Sequence, residues 1–116
     1  VTAAVDCGIV VNPTGARNQV EGGVLDGIGH AMYSDFSFKN GKPDSKNFDT
    51  YRLIRMQETP KVEVHFVLNE KSPTGLGEPG LPPAGGAVAN AINAALGKRL
   101  YSQPFVKELK KSSVLG

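Results

Sequence analysis

Residues 12–34 read NPTGARNQVEGGVLDGIGHAMYS, and the fold turns on whether this stretch is a helix. Asn12 followed by Pro13 is a start signal, because Asn is a favoured N-cap and proline at the first helical position gives up an N–H that has no partner there anyway. Ala16, Val20, Val24 and Ile28, with Ala31 and Met32, recur at spacings of three and four, so a helix from Pro13 to Ser34 would bury one apolar stripe. Gly22, Gly23, Gly27 and Gly29 argue the other way, each less favourable than alanine by about 1 kcal/mol in a helix interior. A helix that keeps them is expected to use the missing side chains for close approach by another backbone or a flat ligand.

On the N-terminal side, Val1, Ala3, Val5 and Cys7 alternate with Thr2, Ala4 and Asp6, which predicts a strand with Cys7 on its inner face. On the other side, Asp35 to Lys39 alternates again and Asn40-Gly41 supplies the residues of a tight hairpin turn, with a returning strand expected within Asn47 to Ile54. Lys61 to Asn69 sets Val62, Val64, Phe66 and Leu68 against Lys61, Glu63, His65 and Asn69, which suits a half-buried antiparallel strand. A second helix is expected over Ala84 to Leu96, stopped by Gly97, and one or two helical turns over Phe105 to Lys111 before a frayed tail at 112–116. The fold class is α+β: a small, mostly antiparallel sheet carrying two main helices.

With 116 residues there is room for one domain and one modest core. No apolar run approaches the roughly 20 residues of a membrane-crossing helix. Thirteen Lys and Arg against 11 Asp and Glu leave a charge of +2, too little to argue for nucleic acid. The single cysteine excludes a disulfide framework and multi-cysteine metal sites. The alternation already running at Val1 suggests a piece of something longer. Nine of the 22 glycines and prolines fall between Pro73 and Gly86, around Glu78. Glycine permits unusual dihedrals and proline stiffens the chain, so such a loop can hold one carboxylate in place; an exposed turn with a solvated acid is the plainer alternative.

Three blocks together resemble the molybdenum-binding large subunit of the xanthine dehydrogenase and aldehyde oxidase family, in its C-terminal part. They are Val5-Asp6-Cys7-Gly8 with Val11-Asn12-Pro13; Gln19-Val20-Glu21-Gly22-Gly23 with Gly27-Ile28-Gly29; and Gly75-Leu76-Gly77-Glu78-Pro79-Gly80-Leu81-Pro82-Pro83 with Ala89-Asn90-Ala91-Ile92. Within the family the likeness points to the isoquinoline 1-oxidoreductase branch. The resemblance implies that Glu78 is the general base toward a molybdenum-bound hydroxide, that Gln19 contacts the pterin, and that Gly77 lets the backbone approach the metal centre. It implies oxidative hydroxylation of an aromatic N-heterocycle or an aldehyde with oxygen from water. The cofactor would be a molybdenum-pterin, in the cytosine dinucleotide form, with iron–sulfur clusters on a small partner subunit. The remaining large subunit would supply most of the pocket, so the chain alone is expected to be inactive and to bind no cofactor. The substrate and the compartment, bacterial cytoplasm or periplasm, stay open.

The other candidates have plain readings. Cys7 fits a buried structural thiol, and His30 and His65 lie on separate elements without a convergent metal-binding pattern. Arg52, Arg55 and the Lys107 to Lys111 cluster fit surface or subunit contacts, and Glu21 and Asp26 fit helix surface charges. A non-catalytic packing or subunit-association domain is the alternative to an enzyme segment.

Overall fold

The decisive stretch is a helix, α1, spanning Pro13–Tyr33 in the computed structural model, which describes residues 1–111. The Asn12 side chain accepts a hydrogen bond from the Gly15 N–H at 2.9 Å, so the N-cap acts as its residue type predicts. Val20, Val24, Ile28 and Ala31 are all buried, and Val20 at 2% exposure is the most enclosed large side chain. The expected tail at 112–116 lies outside the described residues.

Ahead of α1 stands strand β1, Thr2–Val5, and after it come two-residue strands β2, Phe38–Lys39, and β3, Lys42–Pro43. Between β2 and β3 the positive φ of Asn40 and Gly41 makes the turn the dipeptide predicts. The return is immediate, so no strand forms over 47–54: that segment is turns, stitched by bonds from the Thr50 and Tyr51 N–H groups to the Asn47 carbonyl. Strand β4, Glu63–Phe66, is shorter than expected, with Val64 buried and Leu68 left 84% exposed beyond its end. The helix α2 covers Pro82–Leu96, and α3 covers Phe105–Lys111.

The expected antiparallel pairing of the core sheet is also overturned. The core sheet is a parallel pair, with Thr2 opposite Glu63 and Val5 opposite Phe66, and only the β2–β3 hairpin is antiparallel. Period-two alternation says which face of a strand is buried and nothing about direction. A parallel neighbour needs a long crossover, and α1 lies within the one that joins β1 to β4. Arg17 fastens that crossover by donating to the Val64 carbonyl at 2.9 Å.

The main core joins Val20, Val24, Ile28, Val64 and Ala84, and a second cluster joins Ala31, Leu100, Phe105 and Leu109. α2 begins two residues earlier than expected because Pro82 and Pro83 occupy positions where helical N–H groups are unpartnered. Gly97, at φ 66°, ends it as a left-handed cap. The radius of gyration, 16.7 Å, exceeds the roughly 13 Å of a compact domain of this length, and Val11, Met56, Leu68 and Tyr101 stand well exposed.

The helix glycines divide by what surrounds them. A Cβ on Gly27 would lie 2.5 Å from the Leu81 carbonyl oxygen and 2.8 Å from the Ala84 methyl, whereas one on Gly22 would meet nothing within 4 Å. Gly27→Ala should therefore lower stability by about 1–3 kcal/mol through overpacking. Gly22→Ala should raise it by up to about 1 kcal/mol through helix propensity. Chemical denaturation of the two variants checks the pair, and equal shifts would contradict the packing at Gly27.

Candidate functional site

The site is built on the chain from Asn69 to Leu81, which is fastened at three places. At its start the Ile9 N–H donates to the Lys71 carbonyl and the Thr74 N–H donates to the Cys7 carbonyl, both at 3.0 Å. Gly8, at φ 71°, makes this approach possible, since a Cβ there would sit 2.4 Å from the Ser72 carbonyl oxygen. In the middle, Gln19 Nε2 donates to the Gly77 carbonyl at 2.6 Å. At the end the Leu81 N–H donates to the Glu78 carbonyl at 3.0 Å, closing a Glu78-Pro79-Gly80-Leu81 turn. Gly80 sits close to α1, where a Cβ would lie 3.0 Å from the Val20 carbonyl oxygen.

The three residues singled out from the sequence therefore meet. Gln19, Gly77 and Glu78 line one open cavity of about 360 Å³, together with Gly22, Gly23 and Asp26. Gln19 and Gly77 also border a neighbouring groove of about 400 Å³ with Val11, Ala16 and Leu76 in its wall. Glu78 is exposed, and among the described residues no hydrogen bond or ion pair engages its carboxylate. Gln19 spends one N–H on Gly77, which leaves its second N–H and its carbonyl oxygen for a ligand.

The glycines test whether a planar group fits. Gly27 is explained by protein packing, and a Cβ on Gly23 would make ordinary contact at 3.5 Å with the Leu81 nitrogen. These two do not need a cofactor to account for them. Gly22 does lack a protein reason: it opens onto the cavity, costs helix stability, and keeps a space that one methyl group would begin to fill. Gly77 likewise has nothing within 4 Å of a built Cβ. The residues present fit a flat, polar-edged ligand.

The other candidates keep structural surroundings. Cys7 is buried at 6% exposure. His30 bonds the Ser34 hydroxyl at 2.9 Å and lies 3.5 Å from Asp26, while His65 is exposed on β4. Arg52 pairs with Glu58 and lies 3.8 Å from the Tyr33 ring centroid. The Arg55 N–H, first in effect, and Arg52 hold the Glu58 carboxyl below its ordinary pKa. Lys107 pairs with Asp35. Among the described residues no group of three or more His, Cys, Asp and Glu is placed to hold a metal, and no helix is long and apolar enough to cross a membrane.

Sequence reasoning missed Asp6. Its Oδ1 accepts from Asn69 Nδ2 at 2.8 Å and from the Gly8 N–H at 3.2 Å, and these two bonds, in that order, hold its carboxyl below the usual carboxylate range. The stabilisation is complete above the unfolded value of about 3.9 and is lost as pH falls through the lower folded value. An Asp two residues before a Gly is a legible turn signal, but Asn69 lies 63 residues away and left none.

A family profile for the molybdopterin cofactor-binding domain matches residues 1–60. The chain belongs to the molybdopterin cofactor-binding domain family. The match includes Gln19 and stops short of Gly77 and Glu78. A membrane-bound aldehyde dehydrogenase (pyrroloquinoline-quinone) of Gluconacetobacter polyoxogenes is 39% identical over 90% of this chain and 14% of that protein. Isoquinoline 1-oxidoreductase subunit beta of Brevundimonas diminuta is 31% identical over 97% of this chain and 15% of that protein. The expected special closeness to the isoquinoline branch is thus corrected, since the aldehyde dehydrogenase is the more similar of the two. Quinoline 2-oxidoreductase from Pseudomonas putida 86 shares the fold, with a TM-score of 0.82 at 21% identity over 97% of this chain and 16% of that one. The chain therefore spans about one seventh of the length of these relatives.

The Gln19–Gly77 bond is solvent-exposed, so Gln19→Ala should cost at most about 1 kcal/mol of stability while freeing the peptide around Gly77. Limited proteolysis should then cut between Leu76 and Glu78 faster than in the unchanged chain. Equal cutting rates would show that this bond does not hold the loop.

Proposed function

We propose that this chain carries the catalytic base and part of the pterin contact surface of a molybdenum-dependent hydroxylase. The observation that carries the reading is the 2.6 Å bond from Gln19 to the Gly77 carbonyl, which sets Gln19 and Glu78 on one cavity beside the uncovered Gly22. Family membership supplies the class of cofactor. The form proposed is molybdopterin cytosine dinucleotide, with iron–sulfur clusters on a partner subunit taking the electrons away.

When bound, the molybdenum centre supplies Lewis-acid and two-electron redox chemistry. Glu78 accepts, at a carboxylate oxygen, a proton from the water that provides the product oxygen. Its backbone is held on both sides, by Gln19 at Gly77 and by the turn to Leu81, which fixes the point from which the carboxylate reaches substrate. Gln19 offers its remaining amide N–H and oxygen to the pterin edge, and Gly22 keeps the space the ring system needs.

The substrate class is an aldehyde or an aromatic N-heterocycle, the two kinds of molecule named for the relatives above. The exposed apolar side chains, among them Val11 and Leu68, support packing of this chain against the rest of a large subunit. The same surface suits a non-catalytic association domain, and Glu78 separates the two readings.

In the complete enzyme, Glu78→Gln should lower turnover by about 10²-fold or more while molybdenum content stays near the unchanged level. Wild-type turnover would remove Glu78 from the chemistry. Gly22→Leu should leave the protein at least as stable, because leucine is the better helix former, yet reduce molybdenum content. Full occupancy in that variant would mean that the cavity beside Gly22 is not where the pterin lies.

A further inference from the structure

We propose that Asp6 is a positioning residue for Glu78, setting the register of the Asn69–Leu81 segment through its bonds to the Gly8 N–H and the Asn69 side chain. The inference rests on the reading of Glu78 as the base and adds to it the element that fixes where that base stands.

Asp6 sits one residue past β1, and a single oxygen, Oδ1, accepts from a local donor, Gly8 N–H, and a remote one, Asn69 Nδ2. The local bond shapes the turn in which Gly8 takes its positive φ. That turn presents the Cys7 carbonyl and the Ile9 N–H to Thr74 and Lys71. The remote bond holds Asn69, whose Oδ1 in turn accepts from the Lys71 N–H at 2.9 Å. Asp6 thus determines both sides of the contact between residues 7–9 and 71–74. Charged acceptors make the stronger hydrogen bonds, and Lys71 adds its attraction.

Register is then passed along a short path. Thr74 is bonded to Cys7, Leu76 packs against the main core, and Gly77 is bonded to Gln19, so little slack separates the Asp6 contact from Glu78. Asp6 does not line the Glu78 cavity but borders a separate one with Pro79 and Gly80, so its effect on turnover would come through the chain that carries Glu78.

The test uses the complete enzyme with Asp6→Ala, which removes the acceptor, Asp6→Asn, which keeps an acceptor oxygen without the charge, and Asn69→Ala, which removes the donor at the far end. Hydrogen exchange of the peptide containing Lys71–Thr74 should quicken about tenfold in Asp6→Ala, as loss of a charge-assisted bond predicts. Turnover should fall roughly 10- to 100-fold with KM and molybdenum content nearly unchanged, the signature of a misplaced rather than missing group. Asp6→Asn should recover both readouts to within about threefold, because the geometry is kept. Asn69→Ala should shift both in the same direction, and it decides the matter if Asp6→Ala does not fold. Unchanged exchange in Asp6→Ala and Asn69→Ala, or damage in Asp6→Asn equal to that in Asp6→Ala, overturns the proposal. Fast exchange with normal turnover overturns it too, provided Glu78→Gln is inactive. An active Glu78→Gln enzyme overturns the base itself, and exchange then still shows whether Asp6 holds the loop.

Discussion

Everything at the site depends on how closely the Gly80–Leu81 turn approaches α1. The Leu81 carbonyl comes within 2.5 Å of where a Gly27 side chain would begin, and Gly80 lies against the Val20 carbonyl in the same way. Two glycines on facing backbones remove the layer of side chains that normally separates packed elements. The gain is that α2, with Ala84 in the main core, starts directly against the helix that carries Gln19. Glu78, three residues before Leu81 and bonded to it, is carried to the same place.

That constraint explains why a costly helix composition is tolerated. Gly23, Gly27 and Gly29 each lie against neighbouring protein, namely the Gly80–Leu81 turn, Leu81 with Ala84, and Ile54. Burial of the Val20, Val24 and Ile28 stripe, worth about 1.5–3 kcal/mol for each fully buried side chain, offsets their poor propensity. Gly22 receives no such compensation from the protein. It opens instead onto the cavity lined by Gln19 and Glu78.

Local signals carried far along this chain. The Asn12-Pro13 start, the Asn40-Gly41 turn and the Gly97 stop each rest on the dihedral or capping preference of one or two residues, and each appears where its chemistry says. The buried stripe of α1 follows from spacing alone. What misled was strand pairing. Lys61 to Asn69 alternates as an antiparallel strand does, but alternation is equally served by a parallel partner once α1 covers the inner face. The segment 47–54 carries β-like residues such as Phe48, Tyr51 and Ile54, yet the hairpin had already closed at Pro43 and left it no edge to join. Asp6 was passed over because Asn69, one of its two hydrogen-bond donors, lies 63 residues away along the chain.

The sequence by itself determined the two main helices, the Asn12 start of the first, the Gly97 stop of the second and the tight hairpin turn, since these follow from backbone preferences and periodicities a few residues long. Gln19, Gly77 and Glu78 could be named from motifs, but nothing local says that an amide on one helix will grip a carbonyl 58 positions later. Tertiary structure alone decided the direction of β1 against β4, which helix glycines serve packing and which one leaves space, and the joining of Asp6 to Asn69. Each of these depends on which surfaces meet across long loops, and that is settled by burial and close approach of the whole chain together.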